Sequence, residues 1–142
     1  MSEANEIELK VFIPSGLVLE TRAHSVVLPA STGEIGILPL HARYIGLLGT
    51  GILHYQPAHG AEGPTQMVIT GGFCNFSDGV LVILADSVDL PDQIMGTDFT
   101  SQRGKWSETV QATSAFDPEW QFAQQQLARI EALEKLVQAR VH

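Results

Sequence analysis

Hydrophobic periodicity changes once along this chain of 142 residues, near Pro91. Before Pro91, apolar residues recur every second position or in short runs cut by Gly and Pro. Beyond it they recur every three or four. A period of two marks a strand and a period of 3.6 marks a helix. The expectation is therefore an all-β N-terminal sandwich or flattened barrel over residues 1–90, followed by an α-helical antiparallel hairpin over residues 91–142.

Ile7, Leu9, Val11 and Ile13 alternate with Glu6, Glu8, Lys10 and Phe12, which predicts a strand with one buried face. Pro14-Ser15-Gly16 ends it. Further strands are expected at 17–21, 23–28, 34–38, 44–48, 51–56, 66–70, 72–76 and 80–85. Turns are expected at Ser31-Thr32-Gly33, Gly49-Thr50-Gly51, residues 59–64 and Ser77-Asp78-Gly79. Asp78-Gly79 between apolar runs is a strong hairpin signal. Many short, closely spaced strands favour a sandwich or barrel. Val80-Leu81-Val82-Ile83-Leu84 is apolar without alternation, so a central strand buried on both faces is expected there.

Met95, Phe99, Trp106 and Val110 suit one face of a first helix over residues 92–113. Its Gly96 and Gly104 each cost about 1 kcal/mol relative to Ala. Asp117-Pro118 starts a second, stronger helix, with Asp117 as N-cap and Pro118 at the first helical position. Its stripe is Ala123, Leu127, Ile130, Leu133 or Glu134, Val137 and Val141. The short Ala115-Phe116 connection makes the two helices antiparallel. A lone helix of this kind is marginal in water, so the stripe needs a cover. Pattern alone leaves two arrangements open: a conformationally loose tail, or a hairpin fixed on the sandwich.

The net charge of −8, with only 8 Lys and Arg, argues against non-specific nucleic-acid binding and against a basic membrane-surface helix. No apolar run approaches the ~18 residues of a membrane span. The acidic N-terminus is neither a signal nor a transit peptide. Cys74, the one cysteine, lies in an apolar stretch, so a reducing compartment and a buried thiol are expected. The Asn75-Phe76-Ser77 sequon carries weight only in a secreted chain.

Chemistry-bearing motifs are missing. Gly46-Leu47-Leu48-Gly49-Thr50-Gly51 has the glycines of a phosphate loop but no Lys follows. Gly33-Glu34-Ile35-Gly36 leads into a strand, not a helix, which fails the dinucleotide fingerprint. His24, His41, His54, His59 and His142 lack zinc spacing with one another or with Cys74. His41 reads as a structural or interface histidine. Asp86, Asp89 and Asp92 read as a solvated boundary, with a metal site as the alternative. Trp106 and Trp120 read as core, or as partner anchors if exposed. No catalytic residue, cofactor or metal is expected.

More specific is Gly33-Glu34-Ile35-Gly36-Ile37-Leu38-Pro39-Leu40-His41-Ala42. It resembles the signature segment of the epsilon subunit of F-type ATP synthase, called delta in mitochondria. Ser15-Gly16-Leu17-Val18, Gly49-Thr50-Gly51-Ile52-Leu53, Thr70-Gly71-Gly72-Phe73 and the Val80 to Asp86 segment resemble further family segments in order and spacing. The departures are Leu40 and Arg43, where the family usually has Gly or Asn and then Pro, and Gly49-Thr50-Gly51 in place of Pro-Gly. Asp89-Leu90-Pro91-Asp92-Gln93-Ile94 also lacks the Arg-Ala of nucleotide-binding members.

The resemblance implies a non-catalytic central-stalk subunit of a proton-translocating ATP synthase. It implies contacts with the gamma subunit and the c-ring, and contacts of the C-terminal helices with the alpha/beta head that restrain ATP hydrolysis. It places the protein peripherally on the cytoplasmic face of a bacterial membrane, or on the matrix or stroma side of an organellar one. His41, Arg43, Tyr44, Arg129, Lys135 and Arg140 are the implied partner-facing residues. The alternative function is a small-molecule-binding β-sandwich with a helical lid.

Overall fold

The computed structural model describes residues 5–60, 65–94 and 96–141, with side chains described through Gln138. Among the described residues seven strands come first: β1 Ile7–Ile13, β2 Gly16–Ala30, β3 Gly33–Ile37, β4 Tyr44–Leu47, β5 Thr50–Pro57, β6 Gln66–Ser77 and β7 Val80–Asp89. Three helices follow: α1 Pro91–Ile94, α2 Thr100–Ala112 and α3 Pro118–Val141. The expected fold class holds.

The strands run in the order β1-β7-β6-β5-β2-β3, and β1 also pairs with β2. That extra pairing closes β1, β7, β6, β5 and β2 into a flattened barrel. β4 adds to β6 and β3 to β2 as short flaps. Every pairing is antiparallel except β1 with β7. Inside lie Ile7, Leu9 and Val11 of β1, Val26 and Leu28 of β2, Met67, Ile69, Cys74 and Phe76 of β6, and Leu81 and Ile83 of β7. The alternation anticipated for β1 is the buried row itself.

Two strands are longer than expected. The pieces at 17–21 and 23–28 are one strand, β2, whose pairing with β5 slips between Ala23 and Ser25. Its first half pairs with β1 and its second with β3 and β5. The pieces at 66–70 and 72–76 are likewise one strand, β6. Gly71 (φ +69°) and Gly72 (φ +115°) let β6 bend while its register with β7 continues on both sides. The bend exchanges the faces: Met67 and Ile69 point inward before it, Cys74 and Phe76 after it. At Gly72 a Cβ would overlap the Leu84 carbonyl oxygen, so only glycine fits.

The Val80–Leu84 run is not buried on both faces. Leu81 and Ile83 are fully buried, Val80 and Val82 are half-buried, and Leu84 is exposed. Asp78 in the preceding turn takes φ +51° beside Gly79 at +79°, as an Asp-Gly hairpin turn requires. The turn expected at 59–64 falls partly outside the described residues, as does Met95.

The helix expected over 92–113 is broken. α1 stops at Ile94, and Gly96 turns the chain with φ +82°. The Asp98 carboxylate then accepts the Thr100 amide at 2.9 Å and opens α2. Phe99 therefore precedes α2 and is buried against α3. α2 itself buries no residue fully, and Trp106 and Val110 are half-buried. α3 begins at Pro118 as expected. Asp117 directs its carboxylate back to the Ser114 amide at 3.0 Å, closing the interhelical turn. Ala123, Ile130 and Leu133 are buried as anticipated, and Leu127 and Val137 half-buried. Ala132 and Leu136 join them, because the stripe lies between a sheet and α1–α2 and is wider than a single seam. The side chain of Val141 is outside the described residues.

Candidate interaction surface

The outer face of the barrel is divided between two apolar regions. Near β5 and β6 it is covered. Val68 and Ile52 pair across the two strands, and Ile130, Leu133 and Leu136 of α3 pack on that region with Ile94 and Phe99. α3 passes close over the β6 bend, where a Cβ on Gly71 would overlap the Asp86 carboxylate and lie 3.1 Å from Gln125 Nε2. Arg129 fixes the helix to the barrel. Its Nε and Nη2 donate to the two Asp89 carboxylate oxygens, each at 2.7 Å. This fork holds the guanidinium above its ordinary pKa, against the opposing effect of burial. Arg103 of α2 pairs with Glu134 of α3 and ties the two helices together.

Over the other region no helix or loop among the described residues packs. Leu47 of β4 is the register partner of Phe73 in β6, Phe73 of Leu84 in β7, and Leu84 of Phe12 in β1. Phe12 in turn faces Leu17 of β2. Register partners share a face, so these five side chains form one row across five strands. Leu47 is 67% exposed, Leu17 52%, Phe73 46% and Leu84 39%. Ile45, two residues along β4, adds a further exposed side chain at 60%. A contiguous apolar patch on a folded domain marks an interaction site, unlike single scattered residues.

The residues singled out in the sequence fall in different places. His41 and Arg43 are exposed on the loop between β3 and β4, beside Leu40, which is 82% exposed. His41 Nδ1–H donates to the Ala42 carbonyl at 2.7 Å, and the ring meets the edge of Phe76 at 6.2 Å. Tyr44 is half-buried, with its ring folded over Gly46. These three adjoin β4 and hence one end of the apolar row. Arg129 is engaged by Asp89. Lys135 is exposed and lies 3.5 Å from Glu131. The Arg140 side chain lies outside the described residues. Of the Asp86, Asp89 and Asp92 trio, Asp89 serves Arg129, and no three His, Cys, Asp or Glu side chains converge among the described residues. Cys74 is buried, and burial pushes its thiol pKa up. No helix among the described residues is long and apolar enough to cross a membrane.

Sequence reasoning missed the apolar row. Its signal was present in the unbroken apolar run of β7, whose outward residues continue Phe73 and Leu47 sideways.

The same barrel and hairpin occur in known proteins. In the cryo-EM structure of the Euglena gracilis mitochondrial ATP synthase, titled OSCP/F1/c-ring, one chain superposes with a TM-score of 0.72 at 23% identity. It covers 97% of this chain and 82% of that one. A chain of the Tetrahymena thermophila mitochondrial ATP synthase, titled central stalk/c-ring, gives 0.66 at 12% identity, over 92% and 96%. At such identities the likeness is one of fold. In sequence, the ATP synthase epsilon chain of Desulfitobacterium hafniense is 38% identical over 92 residues, 64% of this chain and 67% of that protein. That of Campylobacter concisus is 37% identical over 82 residues, 58% and 62%. The chain thus matches about two thirds of the length of these curated relatives. The sequence model described as ATP synthase, Delta/Epsilon chain, beta-sandwich domain matches residues 6–91, from the residue before β1 to the first residue of α1. That match spans more than half of the chain, and the chain belongs to the ATP synthase delta/epsilon family.

Proposed function

We propose that this protein is a non-catalytic central-stalk subunit of a proton-translocating F-type ATP synthase. In this reading residues 1–90 form the docking unit and residues 91–142 the regulatory one. The observation that carries the reading is the uncovered row Leu47, Phe73, Leu84, Phe12 and Leu17 in a barrel of this family. These side chains are already partly covered, so burying the rest of the row supplies roughly 1 kcal/mol each before association costs. The gamma subunit is the proposed occupant of the row, and the c-ring meets the barrel beside it. His41, Arg43 and Tyr44 form the polar rim. Attachment to the membrane is peripheral, through the complex, on the cytoplasmic face of a bacterial membrane or its organellar counterpart.

The hairpin restrains ATP hydrolysis by reaching the alpha/beta head when it leaves the barrel. Arg129, Lys135 and Arg140 are its proposed contacts there. Arg129 is committed to Asp89 in the docked arrangement seen here, so it becomes available only on release. The small-molecule reading is less favoured. The hollow beneath α3, about 390 Å³, is lined by Pro29, Gly51, Ala128 and Ala132, with Glu131 beside Lys135, and residues 89–94 lack the Arg-Ala of the family's nucleotide-binding members.

The test is co-purification of the full chain with gamma, and its loss in Leu47→Ser/Phe73→Ser. A folded double variant that still binds gamma undiminished refutes the docking assignment. Truncation after Asp117 is expected to leave assembly intact and to raise hydrolysis. Unchanged hydrolysis by the assembled truncate removes the inhibitory part alone.

A further inference from the structure

A second surface, at the distal end of the hairpin, is not used by this reading. Phe116 in the interhelical turn is 93% exposed and Phe122 is 51% exposed. Phe122 meets Trp106 of α2 edge-on, with ring centroids 5.4 Å apart. Between the helices lies a hollow of about 460 Å³ lined by Trp106, Thr109, Pro118, Glu119 and Phe122. Phe116 stands two residues before Pro118, at the open end.

Charge says what this end would accept. From Trp106 to Ala128 the chain has no Lys, Arg or His, and it carries Glu108, Asp117 and Glu119. Three described cations of the hairpin lie elsewhere: Arg103 on Glu134, Arg129 on Asp89 and Lys135 on Glu131. Lys105 sits 4.9 Å over the Trp106 ring, so this aromatic cluster already holds one ammonium group on a ring face. An aromatic hollow lined by Glu119, in a stretch from Trp106 to Ala128 whose other charges are Glu108 and Asp117, is complementary to a cationic peptide bearing an apolar anchor. It is poorly matched to an anionic membrane, and poorly matched to a second copy of a chain of net charge −8.

We propose that the hairpin tip is a docking site for a basic amphipathic segment of a partner protein. The segment places a large apolar side chain in the hollow against Trp106 and Phe122, and Lys or Arg beside Glu119, with Glu108 on the neighbouring face of α2 adding to the negative field. Phe116 closes over the anchor. The acidic tip is thus matched to basic partners, whereas an acidic surface would have to be met by cations freed from their present ion pairs.

The test titrates the full chain with a 14-residue leucine–lysine amphipathic helix and with its leucine–glutamate counterpart. Tryptophan emission and backbone amide shifts report the binding. Saturable binding of the lysine peptide is expected, with shifts concentrated in residues 105–122 and much weaker binding of the glutamate peptide. Phe116→Ala, which removes no buried contact, is expected to weaken binding about tenfold. Glu108→Gln/Glu119→Gln is expected to weaken it several-fold and flatten its salt dependence, and Leu47→Ser to leave it unchanged. Equal binding of the two peptides, shifts centred on the barrel, an unaffected Phe116→Ala or absence of binding would each overturn the proposal. So would a tip that responds to phosphatidylglycerol vesicles or to self-association in place of the peptide.

Discussion

Removing the Arg129 guanidinium should loosen the hairpin from the barrel, by an amount the geometry constrains. Arg129 makes two charge-assisted hydrogen bonds to Asp89, with side chains 24% and 15% exposed. Breaking a fully buried pair by truncating one partner costs about 3–5 kcal/mol, and breaking an exposed one about 0–1. This pair is intermediate, so Arg129→Met should cost about 2 kcal/mol. The reverse truncation, Asp89→Ala, should cost less, about 1 kcal/mol, because the long Arg stem can carry its charge to water whereas a stranded Asp89 carboxylate cannot move. The double variant should show a coupling of about 1 kcal/mol or more. The assay is native-state hydrogen exchange of α3, where ~1.4 kcal/mol is tenfold in opening. In Arg129→Met, α3 amides should exchange roughly 30-fold faster while the β1 and β7 amides keep their protection. A coupling below about 0.3 kcal/mol, or equal acceleration in barrel and hairpin, would refute the claim that this pair holds the hairpin down.

Other expectations follow from the same contacts. Gly72→Ala places a Cβ on the Leu84 carbonyl at φ +115°, so it should lower stability by about 3 kcal/mol or more in urea unfolding. Leu133→Ala, at a fully buried position beneath the hairpin, should cost about 2–5 kcal/mol, read by thermal melting. Burial raises the pKa of both Cys74 and Tyr55. Their stabilisation is therefore complete below the ordinary Cys and Tyr values, ~8.5 and ~10, and is lost as pH rises above them toward the folded values. Melting temperature should fall between pH 8 and pH 11, and the fall should be shallower in Cys74→Ala/Tyr55→Phe.

The barrel was legible in the sequence wherever one face is polar, as in β1, and at the turns, where Asp78-Gly79 has one good conformation. It was less legible where a strand bends. Gly71-Gly72 looks like a break between two strands, yet the ladder with β7 continues past it. Gly96 acts in the opposite sense, splitting an expected helix into α1 and α2. The apolar row was hidden for a related reason. Periodicity reports whether a side chain is apolar, not whether another element of the same chain covers it, so Leu84 reads as core although it is exposed. The Asp89–Arg129 pair joins residues forty apart and has no local signal. In the sequence Asp89 reads as a carboxylate of the strand-to-helix junction and Arg129 as a partner-facing cation, and no local pattern joins them.

The docking claim is tested most directly by mapping which side chains become protected when the full chain assembles with gamma. Carbene footprinting with residue-level readout suits this, since it labels apolar side chains. The account predicts strong protection of Leu47, Phe73 and Leu84 together with Ile45, and little change at Leu38 in the loop after β3. Protection confined to other surfaces, with Leu47, Phe73 and Leu84 labelled as in the free chain, would contradict it.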